Sequence, residues 1–156
     1  MTRGTRQKNP AGACPRGAAA SEQRKHFRSL VDHMQEGIAI LQIHPLHIVF
    51  ANKSLAKMGG YSVHELTALN PKDTARRIHP ADRATVLGYM RRRLDGRAAP
   101  TIYPCRIVRR DVSIRHVEIS SRKITYGGAP AVQATFIDRT PSMDTERRLW
   151  LLSQVV

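Results

Sequence analysis

The sequence predicts an α+β domain built on a five-stranded antiparallel sheet. Two short β-type runs lie between Ile38 and Ala51, and three longer ones lie between Thr101 and Asp138. Everything between these groups has helical spacing. Strands therefore gather at the two ends of the domain instead of alternating with helices, so there is no parallel βαβ rhythm.

Composition suits one domain with extensions: 156 residues, 41% of them hydrophobic, are enough to close a core. The longest apolar run, Ile38 to Leu41, is far too short to span a bilayer. Arg3, Arg6 and Lys8 precede no apolar stretch, so no secretory signal is read. Cys14 and Cys105 cannot build a disulfide framework or a four-ligand metal site, and a cytoplasmic setting is expected. The net charge of +14, from 26 Lys and Arg against 12 Asp and Glu, attracts nucleic acid, anionic lipid or an acidic protein without choosing among them.

Residues 1–20 are basic and rich in Gly, Ala and Pro, and are expected to form a disordered arm. Over 21–36, Phe27, Leu30, Val31 and Met34 make one apolar stripe at helical spacing, which Gly37 ends. Ile38–Ile43 and His47–Ala51 read as strands around a turn at His44-Pro45-Leu46. Asn52 can cap a helix over Lys53–Met58 that Gly59-Gly60 terminates. Ser62 and Glu65 have capping-box spacing, and residues 67–79 read as short irregular helix.

Pro80 and Asp82 open a longer helix with Val86, Leu87, Met90 and Leu94 inside and Arg91, Arg92 and Arg93 mostly outside; Asp95-Gly96 ends it. Gly88 within that helix is read as drift or close packing rather than as room for a ligand. The late strands are Thr101–Arg109, Ser113–Thr125 and Ala131–Asp138, with turns at Asp111 and at Gly127 to Pro130. Alternation groups Cys105 with Ile107, Val117 with Ile119, and Ala134 with Phe136. After Pro141 a helix is expected over 142–156, with Leu149, Leu152 and Val156 beginning a heptad stripe. The stripe is cut at Val155-Val156 without a cap, from which we expect a longer parent chain.

Four segments occur in order: Ile48-Val49-Phe50-Ala51-Asn52, Gly60-Tyr61-Ser62-Val63-His64-Glu65-Leu66, Ile78-His79-Pro80-Ala81-Asp82-Arg83, and Phe136-Ile137-Asp138-Arg139-Thr140. Together they resemble the S-box type of PAS sensory domain, found in bacterial multidomain signalling proteins, from about His26 to Thr140. The resemblance implies a sheet with short helices and one longer helix on one face, enclosing a small cavity and flanked by N- and C-terminal helices. On this reading 37–140 is the PAS domain, 21–36 a dimerisation helix, and 141–156 the start of a signalling helix. Two departures bear on the dimer surface: Asp111-Val112 replaces an Asp-Gly hairpin, so a longer loop is expected, and His116 stands where relatives carry Trp.

The resemblance also frames the cofactor question. Photoactive flavin members carry a reactive Cys before the long helix, but residues 70–77 hold none. Phe136 stands where such members place a flavin-contacting Gln, and Gln133 alternates to the opposite face. Haem members use a His in the long helix, absent from 81–95. His79 is read as a helix-start residue and His116 as a surface or interface residue. Neither haem nor a photoactive flavin is expected. Cys105 is read as an apolar filler rather than a redox thiol. No catalytic motif is present, so no enzyme is expected.

The expectation is a sensory and dimerising module that binds a small apolar ligand and relays it by population shift. The expected cavity residues are Ile40, Leu87, Met90, Cys105, Ile107, Val117, Ile119, Ala134 and Phe136; the expected homodimer face is Phe27, Leu30, Val31 and Met34; the expected output is through Asp138, Thr140, Leu149 and Leu152. The resemblance implies a histidine kinase or a diguanylate cyclase or phosphodiesterase as effector. The alternative is a dimerising relay with no ligand. Specific nucleic-acid binding through Arg76-Arg77, Arg91 to Arg93 and Arg109-Arg110 ranks last, because aromatic content is only 5% and no stacking platform is visible.

Overall fold

A computed structural model describes residues 15–154. The expected α+β architecture is present: one sheet of five antiparallel strands in the order β2-β1-β5-β4-β3. Its strands are β1 (Gly37–Ile43), β2 (Leu46–Ala51), β3 (Ile102–Val108), β4 (Ile114–Tyr126) and β5 (Ala129–Asp138). Five helices accompany or follow β1: α2 (Lys53–Gly59), α3 (Val63–Ala68), α4 (Pro71–Arg76), α5 (Pro80–Leu94) and α6 (Thr140–Ser153); α1 (Pro15–Asp32) precedes them.

Alternation along the strands decides which side chains meet the helices. Ala39, Leu41 and Ile43 on β1, Val132, Ala134 and Phe136 on β5, Val117 and Ile119 on β4, and Tyr103, Cys105 and Ile107 on β3 are buried on one face. Leu55, Ala56, Leu66, Val86 and Met90 from the helices close over them. Gly127 and Gly128, at φ 58° and 77°, supply the two positive φ angles of a tight hairpin turn between β4 and β5. Ala129 and Pro130, expected in that turn, already belong to β5.

Capping follows local chemistry. Asn52 accepts from the Leu55 amide, Ser62 and Glu65 complete the capping box, and Asn70 accepts from the Asp73 amide ahead of Pro71. The irregular region 67–79 resolves into the end of α3 and the short α4. The free edge of β3 is covered rather than exposed: His79 donates to the Arg106 carbonyl at 2.9 Å and Val108 to the Arg77 carbonyl at 2.7 Å.

The N-terminal helix departs from expectation. It runs Pro15–Asp32 rather than 21–36, because Ala18 to Ala20 are strong helix formers and Met34 to Glu36 turn into β1. Residues 15–20 are thus helix, and the rest of the expected basic arm lies outside the described residues. Gly37 opens β1, where a Cβ would come within 3.0–3.2 Å of Leu55. At the far end α6 starts at Thr140, while Val155 and Val156 also lie outside the described residues.

Two positions invite substitution. No atom lies within 4 Å of a Cβ built on Gly88, so close packing does not account for it. Gly88→Ala is expected to raise stability by about 1 kcal/mol, read as a higher urea midpoint with unchanged slope. Val112 has φ 61° in the loop joining β3 to β4, a conformation costly for a β-branched side chain. Its side chain is exposed, so nothing packed is lost on removing it. Val112→Gly should gain about 1 kcal/mol, seen as a rise in Tm; an unchanged or lower Tm would count against this strain.

Candidate ligand cavity and helix attachments

A cavity of about 80 Å³ lies between the inner sheet face and the helices. Ala39, Leu41, Leu46, Ile48, Ile107, Ile119 and Phe136 line it from the sheet, and Leu55, Leu66, Val86 and Met90 from the helices. So largely apolar a lining favours an apolar occupant over water. An engineered cavity of about 150 Å³ takes one benzene, so this one has room for a few heavy atoms, far below a flavin or a haem.

Of the expected cavity residues, Met90, Ile107, Ile119 and Phe136 line this space. Val117, Ala134 and Cys105 share the buried inner face without reaching it, and Leu87 packs half-buried against the core. Ile40 is a correction: its side chain stands on the opposite sheet face, opposite Phe50 and Gln133. Ala39 and Leu41 hold the inner phase instead. Gln42 carried the missing signal, since a polar residue two positions from Ile40 marks the outer face. Leu46, Ile48 and Leu55 were not anticipated, although alternation around Gln42 and His47 would have found the strand pair.

A polar cluster surrounds Tyr61, whose carbon atoms help line the cavity. Gly60, at φ 76°, terminates α2 and turns the chain into Tyr61. The Tyr61 hydroxyl accepts from Arg77 Nη1, and the guanidiniums of Arg77 and Arg110 each stand 5.5 Å from the centre of its ring. The Ser62 amide holds the Glu65 carboxyl below its usual range, aided by Arg110, which pairs with it at 2.8 Å. Arg109 pairs with Asp111 at 3.8 Å and Arg76 with Asp73 at 3.2 Å. The candidate phosphate contacts are thus mostly engaged within the domain. Arg91 and Arg92 are exposed, whereas half-buried Arg93 donates to the Pro100 carbonyl.

Cys105 is buried, and desolvation together with the Asp82 charge pushes its thiol up to about 12. Thiolate is then scarce at neutral pH, in keeping with a packing role. His79 caps α5 through its ring nitrogen and the Ala81 amide at 3.2 Å. Among the described residues, no cluster of His, Cys, Asp or Glu could hold a metal ion.

Both flanking helices are tied to the cavity walls. Asn52 donates to the carbonyls of Val31 and Glu36, 2.9 Å each, and accepts from Ile38 and Leu55. Asp32 accepts from the Lys53 amide at 3.2 Å at the start of α2, where a negative charge suits the helix dipole. Val31 is therefore buried, 5% exposed, and drops out of the exposed stripe; Phe27 and Leu30 remain 62% and 60% exposed, and Met34 lies beyond the helix end. At the other junction Asp138 accepts from the Thr140 amide, and the Thr140 hydroxyl accepts from the His116 amide, both at 2.9 Å. Leu149 and Leu152 are exposed on α6, as are Trp150 and Leu151.

A family model described as the PAS fold matches residues 48–135, more than half of the chain. Among solved structures, the PAS domain of an HTR-like protein from Haloarcula marismortui is 18% identical, with a TM-score of 0.59 over 79% of this chain and 97% of that one. A sensory box histidine kinase/response regulator from Burkholderia thailandensis is 21% identical, with a TM-score of 0.56 over 83% and 95%. A domain of a light and redox sensing histidine kinase assigned in Haloarcula marismortui is 24% identical, with a TM-score of 0.53 over 73% and 97%. No curated protein matches the sequence.

Proposed function

The chain belongs to the PAS-fold family, and on that premise we propose that it is a signal-sensing module that takes a small, largely apolar ligand and relays its binding through α1 and α6. The observation that carries this reading is the shared wall: Leu55 lines the cavity while the first residues of the same helix hold the end of α1. A ligand that shifts α2 changes the stability of that attachment, so occupancy biases the angle of the flanking helix. Phe27 and Leu30 supply the homodimer face, and Leu149 and Leu152 the output face toward an effector of the histidine kinase or diguanylate cyclase/phosphodiesterase type. The setting is cytoplasmic, and no helix among the described residues is long and apolar enough to cross a membrane.

The test is a native mass spectrum of freshly purified protein beside sedimentation of Leu30→Asp. Bound mass lost on denaturation, and a dimer that the substitution dissociates, are the expected results. A bare protein mass would move the reading to a ligand-free dimerising relay, which the small cavity volume favours. A monomer in both proteins would remove the dimer face.

A further inference from the structure

We propose that the turn between α2 and α3 is the gate by which this cavity is entered, and that the loop joining β3 to β4 is the strap that latches it. The proposal rests on the ligand-binding reading above and adds the route by which a ligand comes and goes.

The walls of the cavity are held in different ways. Its sheet side is closed by antiparallel pairing along β2, β1, β5, β4 and β3. The end of α4 and the start of α5 are tied to β3 by the backbone bonds of Arg77 and His79 and by the Asp82 carboxylate on Arg106. Another stretch of wall runs through Gly59, Gly60 and Tyr61. Gly59 and Tyr61 line the cavity, and all three residues are half-buried, so this short turn stands between the cavity and solvent. Two adjacent glycines make it a natural hinge, able to absorb a change of φ and ψ.

Among the described residues, four polar bonds tie 58–65 to other segments, and an arginine supplies each of them. Arg109 Nε donates to the Met58 carbonyl at 3.0 Å, and the Arg110 amide to the Gly59 carbonyl at 3.0 Å. The Arg110 guanidinium pairs with Glu65 at 2.8 Å while standing over the Tyr61 ring, and Arg77 donates to the Tyr61 hydroxyl. Three of the four bonds come from the β3–β4 loop. Exposed ion pairs of this kind add little to global stability, so the turn can open while the sheet stays intact. The same loop holds Val112 at φ 61°, a conformation that persists only where its surroundings impose it. Undocking the strap relaxes Val112, which offsets part of the cost of opening.

The experiment follows xenon, a single apolar atom, entering the full chain under gas pressure. The entry rate is read from exchange at the methyl NMR signals of Met90, Ile107 and Ile119. A Cβ built on Gly60 lies 3.6 Å from the Arg110 Cβ, within the span of about 3.5–4.5 Å that a disulfide bridges. Gly60→Cys with Arg110→Cys, in a Cys14→Ser background, can therefore be stapled with oxidised glutathione and released with dithiothreitol. Any strain of cysteine at position 60 is present in both forms, so the comparison is made within one protein. Stapling should slow entry at least tenfold relative to the reduced form. Arg109→Gln with Arg110→Gln should speed entry about tenfold, Val112→Gly should slow it about threefold, and Arg76→Gln, outside the strap, should leave it unchanged. Equal entry rates in the stapled and reduced forms overturn the gate, and an unchanged rate in the double glutamine variant overturns the latch. If xenon moves no methyl signal in the native protein, the cavity is not a ligand site, and the reading on which the gate rests fails first.

Discussion

Replacing Asn52 with alanine is expected to lower the unfolding free energy by about 3 kcal/mol. The side chain is fully buried, and each of its polar atoms is used twice. Oδ1 accepts from Ile38 at 2.8 Å and from Leu55 at 3.0 Å; Nδ2 donates to Val31 and to Glu36 at 2.9 Å each. Alanine leaves the Leu55 amide uncapped, worth about 1 kcal/mol, leaves the part-buried Ile38 amide unpaired at about 1–3 kcal/mol, and leaves the Val31 carbonyl with the Met34 amide at 3.4 Å alone. Relaxation of the Glu36 carbonyl toward solvent recovers part of this. Urea unfolding followed by circular dichroism measures the loss. Asn52→Asp separates two roles of the residue, because a carboxylate keeps both acceptor bonds but loses both donors to the Val31–Glu36 segment. Amide exchange should then rise in the Val31–Glu36 segment in either variant. A midpoint and an exchange pattern both equal to wild type would remove Asn52 as the link between α1 and the cavity wall.

That link was only half legible beforehand. Asn52 reads from sequence as a cap, because the distance from cap to third helical amide is set by the helix itself. Ser62 with Glu65, and Pro80 after His79, are legible for the same reason. The sheet was legible through alternation wherever one strand face is polar, as on β4, but β1 is apolar on both faces as far as Leu41. There Ile40 and Ala39 compete, and the larger side chain is the wrong choice, since small Ala39 faces Ala51 and Ala134 in the crowded interior. Long-range polar contacts left no mark at all. Arg77 meets Tyr61 across a separation of 16 residues, and nothing in a basic doublet distinguishes the arginine that lines a cavity from the one that faces water. Val31 shows the same limit: helical spacing places it with Phe27 and Leu30, yet tertiary burial at the helix end separates it from them.

Asp82 offers the second large effect, through pH. Its carboxylate accepts from the Arg106 amide at 2.8 Å and from Nε and Nη2 of the same residue at 3.0 and 2.6 Å. One side chain thus pins the start of α5 to β3, next to the backbone bonds that cover that strand's edge. The Arg106 side-chain hydrogen bonds, opposed by desolvation and aided by the Arg106 amide, bring its pKa from 3.8 to about 2. A carboxyl depressed on folding stabilises the native state above its unfolded pKa and loses that contribution as pH falls through the folded value. The contribution is therefore complete above about pH 5 and disappears toward pH 2. Its size is discounted because the pair is partly wet, with 37% of the Arg106 side chain and 22% of the Asp82 side chain exposed. Asp82→Asn should cost about 1–2 kcal/mol at pH 7, since the amide keeps an acceptor for the Arg106 N–H but not the ion pair. Urea midpoints of the two proteins should converge between pH 4 and pH 2, whereas Glu65 and Asp111, also depressed, titrate equally in both. A gap between the two proteins that stays constant down to pH 2 would show that Asp82 acts through its shape and not its charge.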